Sequence, residues 1–317
     1  MTSSKALIDL RSIPIQVTLK TLLQDKTTKK NIIWATSSYE EYGPEFKDDK
    51  PITANALLGL NPMVLQPRVL KSLEEQQSRT KSKAEVFTPS WLCNTMNNYL
   101  DEEWFGRKDV FNNEKDKTWI TNEETIQFPD NKFWQDYIIS NRLEITCGEA
   151  PYLVSRYDTS TGELIVPPKH RIGLLDRKLR IINENVDNEE DWYSWVIRAY
   201  QSIYGYEFQG DNLLIGRINL LMTFVDNYES KWNKQPDKKQ LRKIANIISW
   251  NLWQMDGLTD TVPLGIPQPE FEQPSLFDLF DTVEEEKDEP KKSPKCKIYD
   301  WKKGNSILFE SLKKRRN

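Results

Sequence analysis

Histidine is nearly absent from this chain of 317 residues: His170 is the only one. A zinc centre built on several imidazoles is therefore excluded. Cysteine is scarce as well. Cys93, Cys147 and Cys296 are odd in number and have no metal-like spacing, which points to a reducing, cytoplasmic setting without a disulfide framework. No apolar run approaches the length of about eighteen residues that a membrane helix needs, so no membrane association is expected. Met1-Thr2-Ser3-Ser4-Lys5 leads into no apolar signal core. Positive charge is not in excess. The net charge is −4, so any contact with nucleic acid must come from a local patch or from a partner. What the chain does have is tryptophan, eleven in all, expected as core or interface anchors.

The pattern divides the chain into four parts. Residues 1–125 read as a mixed, largely helical N-terminal region. Within it, Ile13 to Leu19 reads as a strand or extended arm, Asn31 to Ala35 as a buried strand, and residues 62–77 as a helix. Arg79-Thr80-Lys81-Ser82-Lys83 reads as a basic loop, exposed or touching phosphates. A helix opens at Pro89, with Trp91, Leu92, Thr95, Met96 and Tyr99 on one side. Residues 126–260 alternate helix and strand. Helices are expected at Lys132–Ile139, Asp191–Tyr204, Asp211–Phe224 and 236–249, and strands at Arg142–Thr146, Glu163–Val166 and Gly205–Gln209. Residues 261–296 read as a flexible, proline-rich and charged linker, and 297–317 as a C-terminal hairpin and tail turning at Lys303-Gly304-Asn305.

Four segments carry chemistry. An open α/β sheet binds a nucleotide-like ligand outside the carboxyl ends of its strands. It needs a lean loop after the first strand and an acid after the second to hold ribose hydroxyls. Leu143-Glu144-Ile145-Thr146-Cys147-Gly148-Glu149-Ala150-Pro151-Tyr152-Leu153 suits the first role. Tyr204-Gly205-Tyr206-Glu207-Phe208 suits the second. Asn251 to Leu258 offers Asp256 after a third strand, and Val86-Phe87-Thr88-Pro89 offers a helix start suited to a carboxylate. Each has a plainer alternative: a strand-turn-helix with a chance Cys-Gly, a solvent-facing Glu, a helix end closed by Gly257, and an ordinary helix cap.

Taken in chain order, with Val86–Pro89 first, the segments resemble the cofactor-binding half of the adenine-N6 DNA methyltransferases. The resemblance covers roughly residues 60–260. The glycine loop of that family reads Leu-Asp-Pro-Ala-Cys-Gly-Ser-Gly-Ala-Phe-Leu. Cys147-Gly148 and Leu153 match, Glu144 takes the acid position, and Tyr152 replaces Phe. Ala150 stands where the second glycine belongs and is expected to hold the backbone further from a ligand. Pro151 removes an N–H. The two acids usually lie roughly 20 residues apart, whereas Glu144 and Glu207 are 207 − 144 = 63 apart. This requires an insertion, expected as a hairpin-like stretch from Tyr157 to Asn185.

The resemblance implies a partial Rossmann-like α/β fold that binds S-adenosyl-L-methionine. The implied cofactor-binding residues are Phe87, Thr88, Pro89, Glu144, Thr146, Cys147, Gly148, Glu149, Ala150, Glu207, Phe208 and Asp256. It also exposes an absence, because the family's catalytic Asn-Pro-Pro-Tyr is missing. Val166-Pro167-Pro168-Lys169 lacks both the Asn and the aromatic residue and reads as a loop. No catalytic residue, no metal site, no cysteine nucleophile for cytosine and no nuclease cluster is expected.

Only strands one to three are accounted for, which leaves the first as an open edge. The implied function is the cofactor-binding subunit of a split enzyme from a restriction-modification system, expected to be inactive alone. A second chain would supply strand four and the tetrapeptide, and double-stranded DNA would be met through the complex. The alternative is a catalytically inactive regulatory or interaction subunit. Gln273-Pro274-Ser275-Leu276-Phe277 resembles a peptide that docks on the replication sliding clamp, with a local apolar contact as the plainer reading.

Overall fold

Three short parallel strands organise the protein. A computed structural model describes residues 7–60, 65–83, 88–264 and 293–313. The N-terminal elements are α1 (Ile13–Leu23), α2 (Ala54–Leu58), α3 (Leu73–Lys83), α4 (Ser90–Phe105), β1 (Asn112–Lys115), β2 (Thr118–Thr121) and α5 (Trp134–Ile139). The central ones are β3 (Arg142–Glu144), α6 (Leu174–Asn185), α7 (Glu189–Gln201), β4 (Ile203–Glu207), α8 (Gly210–Trp232), α9 (Lys238–Asn251) and β5 (Leu252–Gln254). A hairpin of β6 (Lys297–Asp300) and β7 (Asn305–Leu308) and the short α10 (Glu310–Lys313) follow.

The parallel sheet runs β3–β4–β5, so spatial order equals chain order. Glu144 stands opposite Gly205, and Glu207 opposite Gln254. Parallel neighbours need crossovers. Here α6 and α7 connect β3 to β4, and α8 and α9 connect β4 to β5. Side chains alternate across the sheet. Leu143, Tyr204, Tyr206 and Trp253 share one face; Glu144, Gly205, Glu207, Leu252 and Gln254 share the other.

The two edges of this sheet differ. On β5, the Leu252 carbonyl accepts from Arg217 Nε at 2.9 Å and Nη2 at 2.7 Å, and Cys296 Sγ lies 3.4 Å from the Gln254 carbonyl. Among the described residues β3 pairs with β4 alone. Leu143 beside its open edge is 47% exposed and Ile145 just beyond it 62%.

One large apolar core draws Leu19, Leu22 and Trp34 together with Ile138, Leu179, Trp192, Leu213, Phe224 and Ile244. It therefore spans the segments on both sides of residue 125. A smaller core joins Trp253 and Met255 to Cys296, Ile298 and Phe309, with Tyr204 and Tyr206 packed against it. The C-terminal hairpin thus covers the tyrosine face of the sheet. Its turn spans Trp301 to Gly304; Asn305, expected in the turn, already belongs to β7 and pairs with Asp300.

Several elements depart from the sequence expectations. Ile13 to Leu19 is helical, not extended: Pro14 sits in the first turn of α1, where its missing N–H costs nothing, and Ile15, Leu19, Leu22 and Leu23 are buried together. Residues 32–35 are buried, but Ala35 is left-handed with φ of 49°, and the stretch 31–35 forms only isolated bridges. Glu163–Val166 is no strand; a single bridge, Tyr157 with Leu164, closes a turn there, so the insertion is a turn followed by α6. Arg79 lies within α3 and is buried, not in an open basic loop.

Helix α4 turns the opposite way from its apolar pattern. Met96 and Tyr99 are exposed, whereas Asn94, Asn97 and Asp101 are buried. The cause is Arg177 on α6, fully buried and reaching Asp101, with Asn94 and Asn98 each accepting from it at 2.8 Å. Polar pairing sets this face together with the buried Cys93 and Phe105. Residues 265–292 of the expected linker lie outside the described residues. The flanks of that stretch meet, Val262 N donating to Pro294 O at 3.0 Å.

Candidate functional site

The loop that follows β3 is built from left-handed residues. Thr146, Gly148 and Ala150 have φ of 47°, 53° and 64°. Ala150 therefore adopts the conformation a glycine would, at a cost of about 1–2 kcal/mol, and does not straighten the loop. Its N–H donates to Cys147 O at 2.7 Å, and its carbonyl accepts from Leu153 N and Val154 N. From below, α8 presses close because Gly216 has no side chain; a Cβ there would sit 3.3 Å from Gly148 O.

The loop is stitched to the end of β4. Cys147 N donates to Tyr206 O at 2.8 Å, and Gly148 N donates to Glu207 Oε2 at 2.9 Å. The other oxygen of Glu207 accepts from Gln209 N at 3.1 Å. Glu144 accepts from Tyr152 N and Leu153 N at 3.3 and 3.2 Å, closing the loop on its own strand. Glu149 points the other way, accepting from Arg68 N at 2.6 Å and from the Tyr157 hydroxyl at 2.8 Å. Asn219 of α8 braces both Tyr157 and the Glu149 carbonyl.

Electrostatics follow from burial. Desolvation pushes the Glu144 carboxyl up to about 8; its two N–H donors oppose this and the charge of Glu207 adds to it. The Cys147 thiol, buried beside both acids, is held well above its ordinary range by burial first and then by Glu144 and Glu207. A thiol so held is a poor nucleophile.

The structure brings together Glu144, Thr146, Cys147, Gly148, Glu149, Ala150 and Glu207, with Phe208 next to them and 36% exposed. Thr88 approaches from α4: its side chain bonds the Tyr152 hydroxyl, and its carbonyl accepts from Thr159 Oγ1 at 3.0 Å. Pro89 caps α4, and Phe87 lies outside the described residues. Asp256 stands apart. Its carboxylate accepts from Leu258 N at 2.9 Å, and the adjoining Gly257 abuts the Tyr206 ring on the opposite face of the sheet from Glu207.

Gln254 holds the position beside Glu207 instead. It is buried, binds Ile33 through both N–H and C=O at 2.9 Å, and donates to Phe208 O at 2.8 Å. Sequence reasoning overlooked it, together with Arg68, Tyr157 and Asn219. None sits in a local pattern, and each gains its role from partners far along the chain.

A hollow elsewhere, lined by Pro168, Lys169, Arg180, Glu184 and Lys231, is not an anion site. Its cations are already paired with Glu123, Glu184 and Asp187. Among the described residues no group of His, Cys, Asp and Glu is placed to hold a metal ion, and no helix is long and apolar enough to cross a membrane. Comparison with protein families, curated proteins and solved structures gives no match for this chain.

Burial of these acids has a measurable consequence. The folded-state pKa of Glu144 lies above its unfolded value of about 4.3, so the folded chain holds a proton that the unfolded chain releases. The contribution of Glu144 to stability falls as pH rises from about 4.5 to 8. Asp176, raised to about 6 by burial, acts in the same direction at lower pH. Glu144→Gln is expected to flatten the decline between pH 6 and 8 in urea unfolding. A slope unchanged from the wild type would refute the assignment.

Proposed function

We propose that this chain is the S-adenosyl-L-methionine-binding subunit of a two-chain adenine-N6 DNA methyltransferase from a restriction-modification system. The observation that carries the reading is the hydrogen bond from Gly148 N to Glu207 Oε2. It sets the lean loop after the first parallel strand against the acid after the second, which is where an open α/β sheet holds a nucleotide. The sheet is read as the first three strands of a Rossmann-like methyltransferase domain. On this reading Glu207 would accept from the ribose hydroxyls, the N–H groups of the 146–150 loop would line the site, and Thr88 would meet the carboxylate; bound there, S-adenosyl-L-methionine would supply a transferable methyl. The residues named here would hold and orient it.

The catalytic tetrapeptide and target recognition then belong to a partner chain, with DNA met through the complex. The open edge of β3 supports this division, since an uncovered edge flanked by Leu143 and Ile145 invites a further strand. A cytoplasmic setting belongs to the same reading. The Gln273–Phe277 segment proposed to dock on the sliding clamp lies outside the described residues.

The test is adenine methylation of DNA by the chain alone, by the product of the neighbouring gene alone, and by both. Activity is expected only with both. Robust methylation by this chain alone would refute the division of labour. One observation favours a catalytically inactive regulatory or interaction subunit: both Glu207 oxygens already accept backbone N–H groups. On that reading no partner restores activity.

A further inference from the structure

A chain of net charge −4 carries one face where cations gather. It forms where the end of α1, the end of α9 and the C-terminal hairpin meet. Lys29, in the loop after α1, places Nζ 5.1 Å from the centroid of the Trp250 ring on α9, and Lys26 Nζ is 5.9 Å from the same ring. Lys26 Nζ also donates to Gln24 Oε1 at 2.6 Å and to Asn246 Oδ1 at 3.0 Å, tying the loop to α9. The hairpin joins through Lys297 N, which donates to Thr27 Oγ1 at 3.0 Å. Trp250, Tyr299 and Trp301 follow in a row, with successive centroids 5.2 and 4.5 Å apart.

The outer cations of this face have no carboxylate to answer them. Lys20, Lys29, Arg242, Lys297 and Lys302 are exposed, and among the described residues none of them makes an ion pair. Lys20 stands one helical turn before Gln24, and Arg242 one turn before Asn246. The acids of the same loops are taken up by their own turns. Asp25 accepts from Thr28 N at 2.7 Å and Thr28 Oγ1 at 2.6 Å, and Asp300 accepts from Lys302 N and Lys303 N at 3.1 Å. The lysines are not needed to close α1 either, because Arg217 already takes the Leu22 and Gln24 carbonyls. Like charges crowd each other here. Burial, then Arg217 and Lys29, lower Lys26 to about 8, with Asp25 opposing. A bound polyanion relieves that repulsion.

The three rings do not make a stacking platform for unpaired bases. Neighbouring rings are tilted by 50°, all three are partly buried, and the lysines lie over Trp250. What the face offers is charge held on a rigid base.

We propose that this face, with Lys20, Lys29, Arg242, Lys297 and Lys302 as its contacts, binds the phosphate backbone of duplex DNA without reading its sequence. It lies beside the start of β5, at the opposite end of the parallel sheet from Glu144 and Glu207, so it anchors flanking duplex and not a reacting base. The inference goes beyond the proposed subunit role. It gives this chain a DNA contact of its own, and it needs no cofactor site.

The full-length chain, without S-adenosyl-L-methionine, is titrated into a fluorescein-labelled duplex of about 20 base pairs of arbitrary sequence, and anisotropy is read from about 50 to 200 mM KCl. Each neutralised phosphate contributes about −0.9 to the slope of log K against log salt, so five contacts predict a slope near about −4. The triple variant Lys29→Gln, Lys297→Gln, Lys302→Gln is expected to bind about tenfold or more weakly at the lower salt, with a slope shallower by about 3. Arg242→Gln alone should soften the slope by about 1. A control triple, Lys108→Gln, Lys115→Gln, Lys117→Gln, removes the same charge from exposed positions outside this face and should bind as the wild type does. Urea midpoints confirm that each variant is folded. Equal weakening by both triples would reduce the effect to net charge and overturn the assignment. Tighter binding of a single strand than of the duplex, or no duplex binding at about 50 mM KCl, would overturn it as well.

Discussion

Glu207→Ala is expected to abolish the calorimetric signal for S-adenosyl-L-methionine, weakening binding by about hundredfold or more. A hydrogen bond to a charged group contributes about 1.5–3 kcal/mol, and on the proposed reading Glu207 gives up two acceptors facing the ribose. The substitution also strands Gly148 N, whose acceptor is Glu207 Oε2. The loop that shapes the crevice therefore loses its tie to β4 as well. Glu207→Gln keeps an acceptor for Gly148 and removes only the charge, so its loss should be intermediate. Heats for Glu207→Ala equal to those of the wild type would remove the central assignment.

The second large effect concerns folding. Asp101→Ala is expected to destabilise the protein by about 3–5 kcal/mol in urea unfolding, the range for breaking a buried pair and leaving one charge behind. Asp101 on α4 pairs with Arg177 on α6, and both are almost completely buried. Asp101 also accepts from the Tyr137 hydroxyl at 2.7 Å. Adding Arg177→Met to Asp101→Ala should restore part of the loss, because the stranded cation is then gone. Additive losses in that double-mutant cycle would show that the pair is not coupled. The site feels this linkage, since α4 carries Thr88 and Pro89 at its start and Asn97 donates to Tyr152 O at 3.0 Å.

The helices that bury an apolar stripe were legible in the sequence. For α7 and α9 the spacing of Trp192, Val196 and Ala199 and of Leu241, Ile244, Ala245 and Ile248 marks the faces that are buried. The Asp237 cap, accepting from Lys239 N and Gln240 N, marks the start of α9. The strands near Arg142 and Gly205 were also in place. Helix α4 was not legible in this way. Met96 and Tyr99 point outward while Asn94, Asn97 and Asp101 turn inward beside Cys93 and Phe105, because a buried arginine from α6 recruits the polar ones, and no periodicity carries that information.

Local order along the chain decided which residues form the loop after β3 and the acid after β4, because turn chemistry and strand ends are written in neighbouring residues. Tertiary structure alone decided that Gln254, not Asp256, stands beside Glu207, that Arg68 reaches Glu149, and that Lys71 and Arg79 reach Asp211. It also decided that, among the described residues, the first strand keeps an open edge while the third is met by Arg217 and Cys296. The physical reason is distance. These partners lie 35 residues or more apart in sequence, and a buried charge or amide takes whichever partner the packed core brings within about 3 Å.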